Sequence, residues 1–151
     1  MEVQHITQLS AEVLQPLLQT SLAEGYTFVR RLWHEYETGI NRFETPGGTL
    51  MGAYENDTLI AIGGIHIDPY LNTLTIGRVR HVYVMPGHRR NGVGHTLVKR
   101  LLQHASEHFE TATLRTLTDH GRAFYTTLGF SSEPRYKSAT HWIDLREQDS
   151  S

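Results

Sequence analysis

Residues 82–95 read VYVMPGHRRNGVGH. This stretch decides the fold, because a β-branched segment ends at a proline and a basic, glycine-rich loop then leads into an amphipathic helix. The first turn of a helix leaves about four backbone N–H groups unpaired and carries about half a positive charge, so such a junction is suited to bind a phosphate. Gly92 and Gly94 let the backbone approach closely, and Arg89 and Arg90 add charge.

Basic residues are concentrated around this stretch. The whole chain has a formal net charge of −2, yet residues 69–106 contain no Asp or Glu. Its cationic side chains are Arg78, Arg80, Arg89, Arg90, Lys99 and Arg100. This asymmetry predicts a polyanionic ligand. We expect no nucleic-acid partner, because the sequence pI is near 6.5 and the basic residues of this stretch are not expected to alternate with exposed aromatic residues.

Two common phosphate-binding loops do not fit the stretch. Gly87 and Gly92 have the spacing of a P-loop, but Val93 stands where that loop requires lysine. A dinucleotide-binding fingerprint needs a third glycine after Gly92 and Gly94, and that position is Leu97. Neither an NTPase nor a dinucleotide-dependent enzyme is therefore predicted.

The remaining pattern, Arg89-x-x-Gly92-x-Gly94 after a strand, resembles the cofactor loop of the GCN5-related N-acetyltransferases (GNAT). A second segment, residues 124–130, reads FYTTLGF and is similar to the Phe-Tyr-x-x-x-Gly-Phe signature of that family. The two blocks have the family's order and spacing. The resemblance covers residues 50–145, and before residue 50 only the order of elements agrees.

Length and composition agree with one domain, residues 1–151, since about 150 residues bury a single core. We expect neither a membrane span, since no run approaches ~20 apolar residues, nor a signal peptide, since the basic-then-apolar pattern is absent at Met1. The chain has no cysteine, which agrees with a cytoplasmic location. It also means that an acyl group cannot pass through a cysteine thioester, so direct transfer to an acceptor is expected.

The hydrophobic pattern predicts an α/β fold with a mixed sheet and helices on both faces, and the family resemblance implies that this sheet is mostly antiparallel and twisted. The predicted strands are 2–8, 49–54, 58–67, 74–84, 112–118 and 136–145, and the predicted helices follow Ser10 and cover 28–38, 91–108 and 121–128. A helix connects strands 74–84 and 112–118, so these two should be parallel. If they splay at the ends marked by Val84 and Thr118, backbone groups are freed there for a ligand.

The resemblance implies that acetyl-CoA is the co-substrate. Strand backbone near Val82 and Val84 would pair with its pantetheine arm, and the loop amides would bind its pyrophosphate. The implied cofactor-binding residues are Val82, Tyr83, Val84, Arg89, Arg90, Asn91, Gly92, Val93, Gly94, His95 and Thr118. Thr118 stands where many family members have asparagine, so either its hydroxyl replaces the amide contact with the pantetheine or that contact is absent. The alternative for Gly92 and Gly94 is an ordinary turn that binds no ligand.

The resemblance further implies that Tyr125 protonates the departing CoA thiolate. A phenol has a pKa of about 10 and an alkyl thiol one near 8.5, so the transfer is mildly uphill. A core tyrosine packed beside Phe124 and Phe130 is the alternative.

Family members commonly carry a carboxylate base on the strand before the loop, but residues 77–81 read GRVRH here. His81 is the nearest substitute, although the neighbouring arginines should lower its pKa and weaken it as a base. His34, Glu35 and Glu37 on the second helix are alternatives.

Other features favour structural roles. His104 and His108 share a helix face but lack the Glu and third ligand of a zinc helix, so no metal is predicted. The apolar residues of helix 28–38 should face the core, and Arg30 and Arg31 should be a surface pair. The alternative is that these residues bind an anionic or aromatic acceptor.

Two functions therefore remain. One is an acetyl-CoA-dependent N-acetyltransferase that acts on a small-molecule or peptide amine, and the other is a non-catalytic acyl-CoA-binding module of the same fold. The acceptor stays open among polyamines, aminoglycosides, amino acids and protein N-termini. Acidic residues outside the basic stretch would suit a cation, but most of them are expected to be solvated surface residues. A homodimer also stays open.

Overall fold

Six strands form one mixed sheet and lie in it in the order of the chain. A computed structural model describes residues 1–148. Within them the elements are β1 (Glu2–His5), α1 (Ala11–Ala23), α2 (Phe28–Thr38), β2 (Thr49–Glu55), β3 (Thr58–Ile67), β4 (Ile76–Val84), α3 (Val93–Ser106), β5 (Thr111–Leu114), α4 (Asp119–Thr127), β6 (His141–Asp144) and α5 (Leu145–Gln148). Neighbouring strands are antiparallel except β4 and β5, which are parallel. The predicted mixed sheet is confirmed.

Local sequence explains where several elements begin and end. Helix α1 begins after Ser10, whose Oγ accepts a hydrogen bond from the Val13 N–H at 3.2 Å. Helix α2 ends at Gly39, which has φ 82° and so adopts the left-handed conformation that glycine tolerates best. Asn56 and Asp57 both have positive φ, which closes the β2–β3 hairpin with a two-residue turn. The predicted beginning of α1 after Ser10 and the predicted bounds of the helix 28–38 are confirmed.

The predicted strand 112–118 is too long. Strand β5 ends at Leu114, and Thr118 instead caps α4, where its Oγ1 accepts a hydrogen bond from the Gly121 N–H at 3.0 Å. The hydroxyl satisfies one of the unpaired N–H groups at the helix start, so the chain leaves the sheet before Thr118. Strands β1 and β6 are also shorter than predicted, and the short helix α5 was not predicted. The other predicted elements agree with the structure to within two residues at each end.

Strands β4 and β5 separate soon after they pair. They are in register only at Ile76–Arg78 and Thr111–Thr113, so within the described chain the rest of β4 has no strand on this side. On the other side of β4, His81 and Val82 both lie opposite Gly63 and form a β-bulge, with His81 at φ 61°. The predicted splayed parallel pair is therefore present, and the bulge lies beside it.

Helices cover both faces of the sheet. Leu97 and Leu101 of α3 are fully buried against one face, while Leu14 and Leu17 of α1 and Leu32 of α2 are fully buried against the other. Each such side chain stabilises the fold by about 1.5–3 kcal/mol relative to exposure. No helix among residues 1–148 has the length and apolar character needed to cross a bilayer.

Candidate functional site

The glycine-rich loop leads directly into α3, whose first turn has no side-chain cap among the described residues. Gly92 is the N-cap residue at φ 78°, and no side chain in the described structure caps this helix. Arg90 also has a positive φ of 69°. Because the first N–H groups of α3 have no side-chain acceptor, they are available to an anion as predicted. A Cβ added to Gly92 would have no atom of the described residues within 4 Å, so there is space for a side chain. Glycine is favoured at this position because of its positive φ.

Gly94 has a different role from Gly92. A Cβ on Gly94 would lie 3.2 Å from Cζ of Phe124 and 3.4 Å from Cγ2 of Val84. The next residue, His95, packs edge-on against the Phe124 ring and lies 3.2 Å from the Thr127 hydroxyl through Nε2. These contacts join the start of α3 to α4. Residues 94 and 95 would therefore contact a ligand mainly through their backbone.

Arg89 does not offer a free charge to the loop. Its guanidinium donates two hydrogen bonds to the Glu24 carboxylate at 2.7 and 2.8 Å, and its Nε donates to the Val84 carbonyl at 2.9 Å. The Tyr83 hydroxyl donates to the same carboxylate at 2.5 Å. The hydrogen bonds from Arg89 lower the pKa of Glu24. We call this group, Glu24, Tyr83 and Arg89, the clasp; it ties the loop to the end of α1.

The clasp corrects the expectation that both loop arginines add positive charge to the anion site. Glu24 compensates Arg89, whereas Arg90 is exposed and has no ion pair within residues 1–148. Arg78 is also compensated: it is buried, lies 3.6 Å from Asp68 and donates to the Ser138 carbonyl. The positive charge predicted from the acid-free stretch is therefore smaller at the loop than the sequence indicates.

The edge of β4 presents backbone groups where β5 has turned away. The Met85 N–H donates to the Ile60 carbonyl at 2.8 Å. In the antiparallel hydrogen-bond pattern, this directs the N–H and C=O of Val84 away from β3 and toward the splay. Its carbonyl accepts the hydrogen bond from Arg89, which leaves the Val84 N–H facing the splay. Val82 lies in the bulge at the start of the same open edge.

Tyr125 lies on α4 within the core contacts that also include Val82 and Val84. Its ring packs edge-on against Phe124 and Phe130, with ring centres 4.9 and 5.5 Å away. Burial raises the pKa of Tyr125, so the phenol keeps its proton at neutral pH. Its hydroxyl has no hydrogen-bond partner among residues 1–148, which leaves the O–H available as a donor.

His81 is buried, and its Nε2 has no hydrogen-bond partner within the part of the chain that the structure describes. Burial, followed by the charge of Arg80 and by His66, lowers the pKa of His81 to about 3. A neutral imidazole of such low basicity takes a proton from an ammonium group poorly. The sequence argument identified the effect of the arginines but not burial, which is the larger cause.

An open surface depression of about 330 Å³ lies on α2 and is lined by the exposed residues Thr27, Arg30, Arg31 and His34; we call it the α2 cavity. Of the three α2 residues considered as alternative bases, only His34 lines this cavity. Glu35 is partly buried and Glu37 is exposed, and neither belongs to the cavity lining.

A family model described as the acetyltransferase (GNAT) family matches residues 14–130. The chain belongs to this family. No curated protein sequence matches the chain. The resemblance read from the loop and from the FYTTLGF segment is thereby confirmed, and the match also includes α1 and α2, where the sequence showed only element order.

Solved structures of acetyltransferases show the same fold. A protein from Exiguobacterium sp. 255-15 with a provisional acetyltransferase assignment is 24% identical, with a TM-score of 0.85 over 99% of this chain and 98% of that one. A GNAT-family acetyltransferase from Staphylococcus aureus MU50 is 15% identical, with a TM-score of 0.64 over 95% and 99%. An aminoglycoside 6'-N-acetyltransferase in complex with coenzyme A is 16% identical, with a TM-score of 0.69 over 96% and 97%.

Thr118 is exposed in this GNAT chain, and its hydroxyl oxygen already accepts the hydrogen bond that caps α4. One hydroxyl proton is left for a ligand, whereas an asparagine side chain would offer two N–H donors. The contact with a pantetheine arm stays a prediction, in a weaker form than an asparagine would provide.

The histidine pair considered for metal binding has structural contacts. The His104 ring packs edge-on against His5 at 5.2 Å, and His108 packs against Phe109 at 4.9 Å. No group of three metal-ligating side chains occurs among the described residues.

Glu24 is the residue that sequence reasoning missed. It lies 65 positions before Arg89, on an element assigned only by its hydrophobic spacing. The absence of any acid near the loop was the available signal, because it meant that any carboxylate partner of Arg89 had to come from elsewhere in the chain.

Proposed function

We propose that this GNAT protein transfers the acetyl group of acetyl-CoA directly to an amine. The observation that carries the proposal is the uncapped start of α3 beside the open edge of β4. Anion-binding amides and unpaired strand groups meet there, which matches a ligand with a pyrophosphate at one end and an amide-containing arm beyond it.

The residues present fit acetyl-CoA. The amides of residues 92–95 would bind its pyrophosphate, assisted by the exposed side chain of Arg90, and the edge of β4 from Val84 to Val82 would hold its pantetheine arm. The clasp fixes the loop relative to α1 without contributing net charge. Bound acetyl-CoA supplies an activated acetyl thioester.

Transfer forms a C–N bond and breaks the C–S bond. An ammonium acceptor loses one proton before it attacks and a second, to solvent, as the amide forms, while sulfur gains one proton. The acceptor amine attacks while neutral, and the leaving sulfur takes a proton. The unpartnered Tyr125 hydroxyl is the group that we assign to this donation, with solvent restoring its proton. The raised pKa makes the donation more uphill than for an ordinary phenol, so the assistance is modest.

The proton on the acceptor ammonium needs a different recipient from His81. We assign His34, because it lines the cavity on α2, whereas His81 is buried and weakly basic. With no cysteine in the chain, a cysteine-bound acyl group is excluded, which supports direct transfer.

One observation favours a second candidate function, a non-catalytic acyl-CoA-binding module. Strand β4 carries no carboxylate, and its one imidazole is buried. A test for both is thiol release from acetyl-CoA across a panel of amines, together with the melting temperature in the presence of acetyl-CoA. A transferase releases thiol above the rate in buffer with at least one amine. A binding module shows a raised melting temperature and no excess thiol.

A further inference from the structure

Two arginines line the α2 cavity without an acidic partner. Arg30 and Arg31 are exposed, and their side chains form no ion pair or hydrogen bond within residues 1–148. Glu35 lies one turn after Arg31, but the two do not form an ion pair in the described structure. Other arginines, such as Arg78 and Arg89, are paired with carboxylates. The cavity therefore has uncompensated positive charge.

A third arginine extends this charge toward β4. Arg80 is partly buried beside the bulge and has no acidic partner among the described residues. The charges of Arg80 and Arg31 both act on the His81 ring, and the His81 imidazole has a hydrogen bond with the backbone of Phe28 at the start of α2. These interactions place the first turn of α2, which no side chain caps within residues 1–148, against the bulge of β4.

The cavity lies near the bulge of β4, because the charge of its lining residue Arg31 acts on His81 in that bulge. A pantetheine arm that starts at the loop after Val84 and follows the open edge of β4 runs back toward the bulge. Its thioester end would therefore arrive near Arg80 and the first turn of α2. The lining residues Arg30 and Arg31 can then contact a part of the acceptor other than its amine.

We propose that this cavity binds an anionic group of the acceptor, a carboxylate or a phosphate, so that the substrate is an amine that also carries negative charge. The inference rests on the proposed acetyl transfer. An arginine fork matches the geometry of both anions, and the positive end of α2 adds to the attraction. Polycationic acceptors are disfavoured, because they would bring like charge to three uncompensated arginines.

Acceptors matched in their amine but different in charge test the inference. O-phosphoethanolamine is compared with ethanolamine, α-amino acids with their carboxamides, and spermidine represents polycations. We expect kcat/KM for the preferred anionic amine to exceed that for its neutral match by about tenfold or more. Arg31→Glu should lower kcat/KM for the anionic amine by about 10- to 100-fold, the effect of losing charge-assisted hydrogen bonds, and Arg31→Lys should lower it less.

The control is Lys99→Glu, which makes the same change of charge on an exposed residue of α3, on the opposite face of the sheet. This variant should retain the wild-type preference, and all variants should retain the KM for acetyl-CoA. Equal or higher kcat/KM with neutral or cationic acceptors overturns the inference and leaves the proposed transfer intact.

A binding measurement separates the two failures if no amine releases thiol. Each anionic amine of the panel is titrated calorimetrically into protein saturated with CoA. Binding that Arg31→Glu abolishes and Lys99→Glu preserves supports the anion site even though transfer has failed. The inference is overturned if no anionic amine binds or if Arg31→Glu binds as wild type does.

Discussion

The clasp gives a prediction whose size follows from its geometry. Glu24 receives two hydrogen bonds from Arg89 and one from Tyr83, but the side chains of Arg89 and Glu24 are 36% and 28% exposed. Solvent screening reduces an exposed ion pair to at most about 1 kcal/mol, and the bidentate geometry places this pair near that upper value. We expect Glu24→Gln and Arg89→Gln to couple by about 1 kcal/mol in a double-mutant cycle at pH 7.

The coupling should depend on pH in one direction. Arg89 lowers the pKa of Glu24 in the folded protein, so the pair stabilises the fold above the unfolded pKa of about 4.3. This stabilisation is lost as the pH falls through the lower, folded value. Urea unfolding of the four proteins at pH 7 and at pH 3 measures both effects. A coupling that is absent at pH 7, or that is unchanged at pH 3, refutes the assignment.

Three further predictions concern the loop, the acid and the buried histidine. Gly92→Asp should weaken CoA binding by about 100-fold or more in calorimetry, because a carboxylate enters the anion site. The control is Gly39→Asp, because Gly39 has nearly the same backbone conformation (φ 82°, ψ 5°) as Gly92 (φ 78°, ψ 6°). This variant should lose a similar amount of stability but bind CoA as the wild type does. If both variants bind CoA equally well, the anion site lies elsewhere. Tyr125→Phe should lower kcat by about 10²-fold with little change in the KM for acetyl-CoA, and a variant that keeps more than about half of the wild-type rate would remove the acid role. Burial lowers the pKa of His81 to about 3, so the unfolded chain binds the extra proton below pH ~6.5 and the free energy of unfolding should fall from there toward pH 3. His81→Gln should flatten that fall in urea titrations, and an unchanged slope would show that His81 is not buried and neutral.

The sequence predicted the features that depend on residues close together in the chain. The strand, loop and helix around Gly92 follow from β-branched residues, a proline and glycine spacing, which act within a few positions of one another. The parallel arrangement of β4 and β5 follows from the helix between them, since a crossover of that length is right-handed and returns parallel. The family resemblance then supplied the ligand that such a junction binds.

The parts that sequence missed depend on contacts between distant residues. Glu24 meets Arg89 only because α1 ends beside the loop, and neither local pattern contains that information. Burial of His81 depends on α2 and Phe43 packing over the bulge, so its weak basicity could not be read from the neighbouring arginines alone. Thr118 was assigned to the end of the strand 112–118, whereas its hydroxyl caps a helix.

Initial rates measured while both acetyl-CoA and an accepted amine are varied test the central claim most directly. Direct transfer requires both substrates on the protein at once, so reciprocal plots should give intersecting lines, with one thiol released for each amine acetylated. Parallel lines would indicate an acyl group held by the protein between two half-reactions and would contradict the account. Thiol release that does not depend on any amine would contradict it as well.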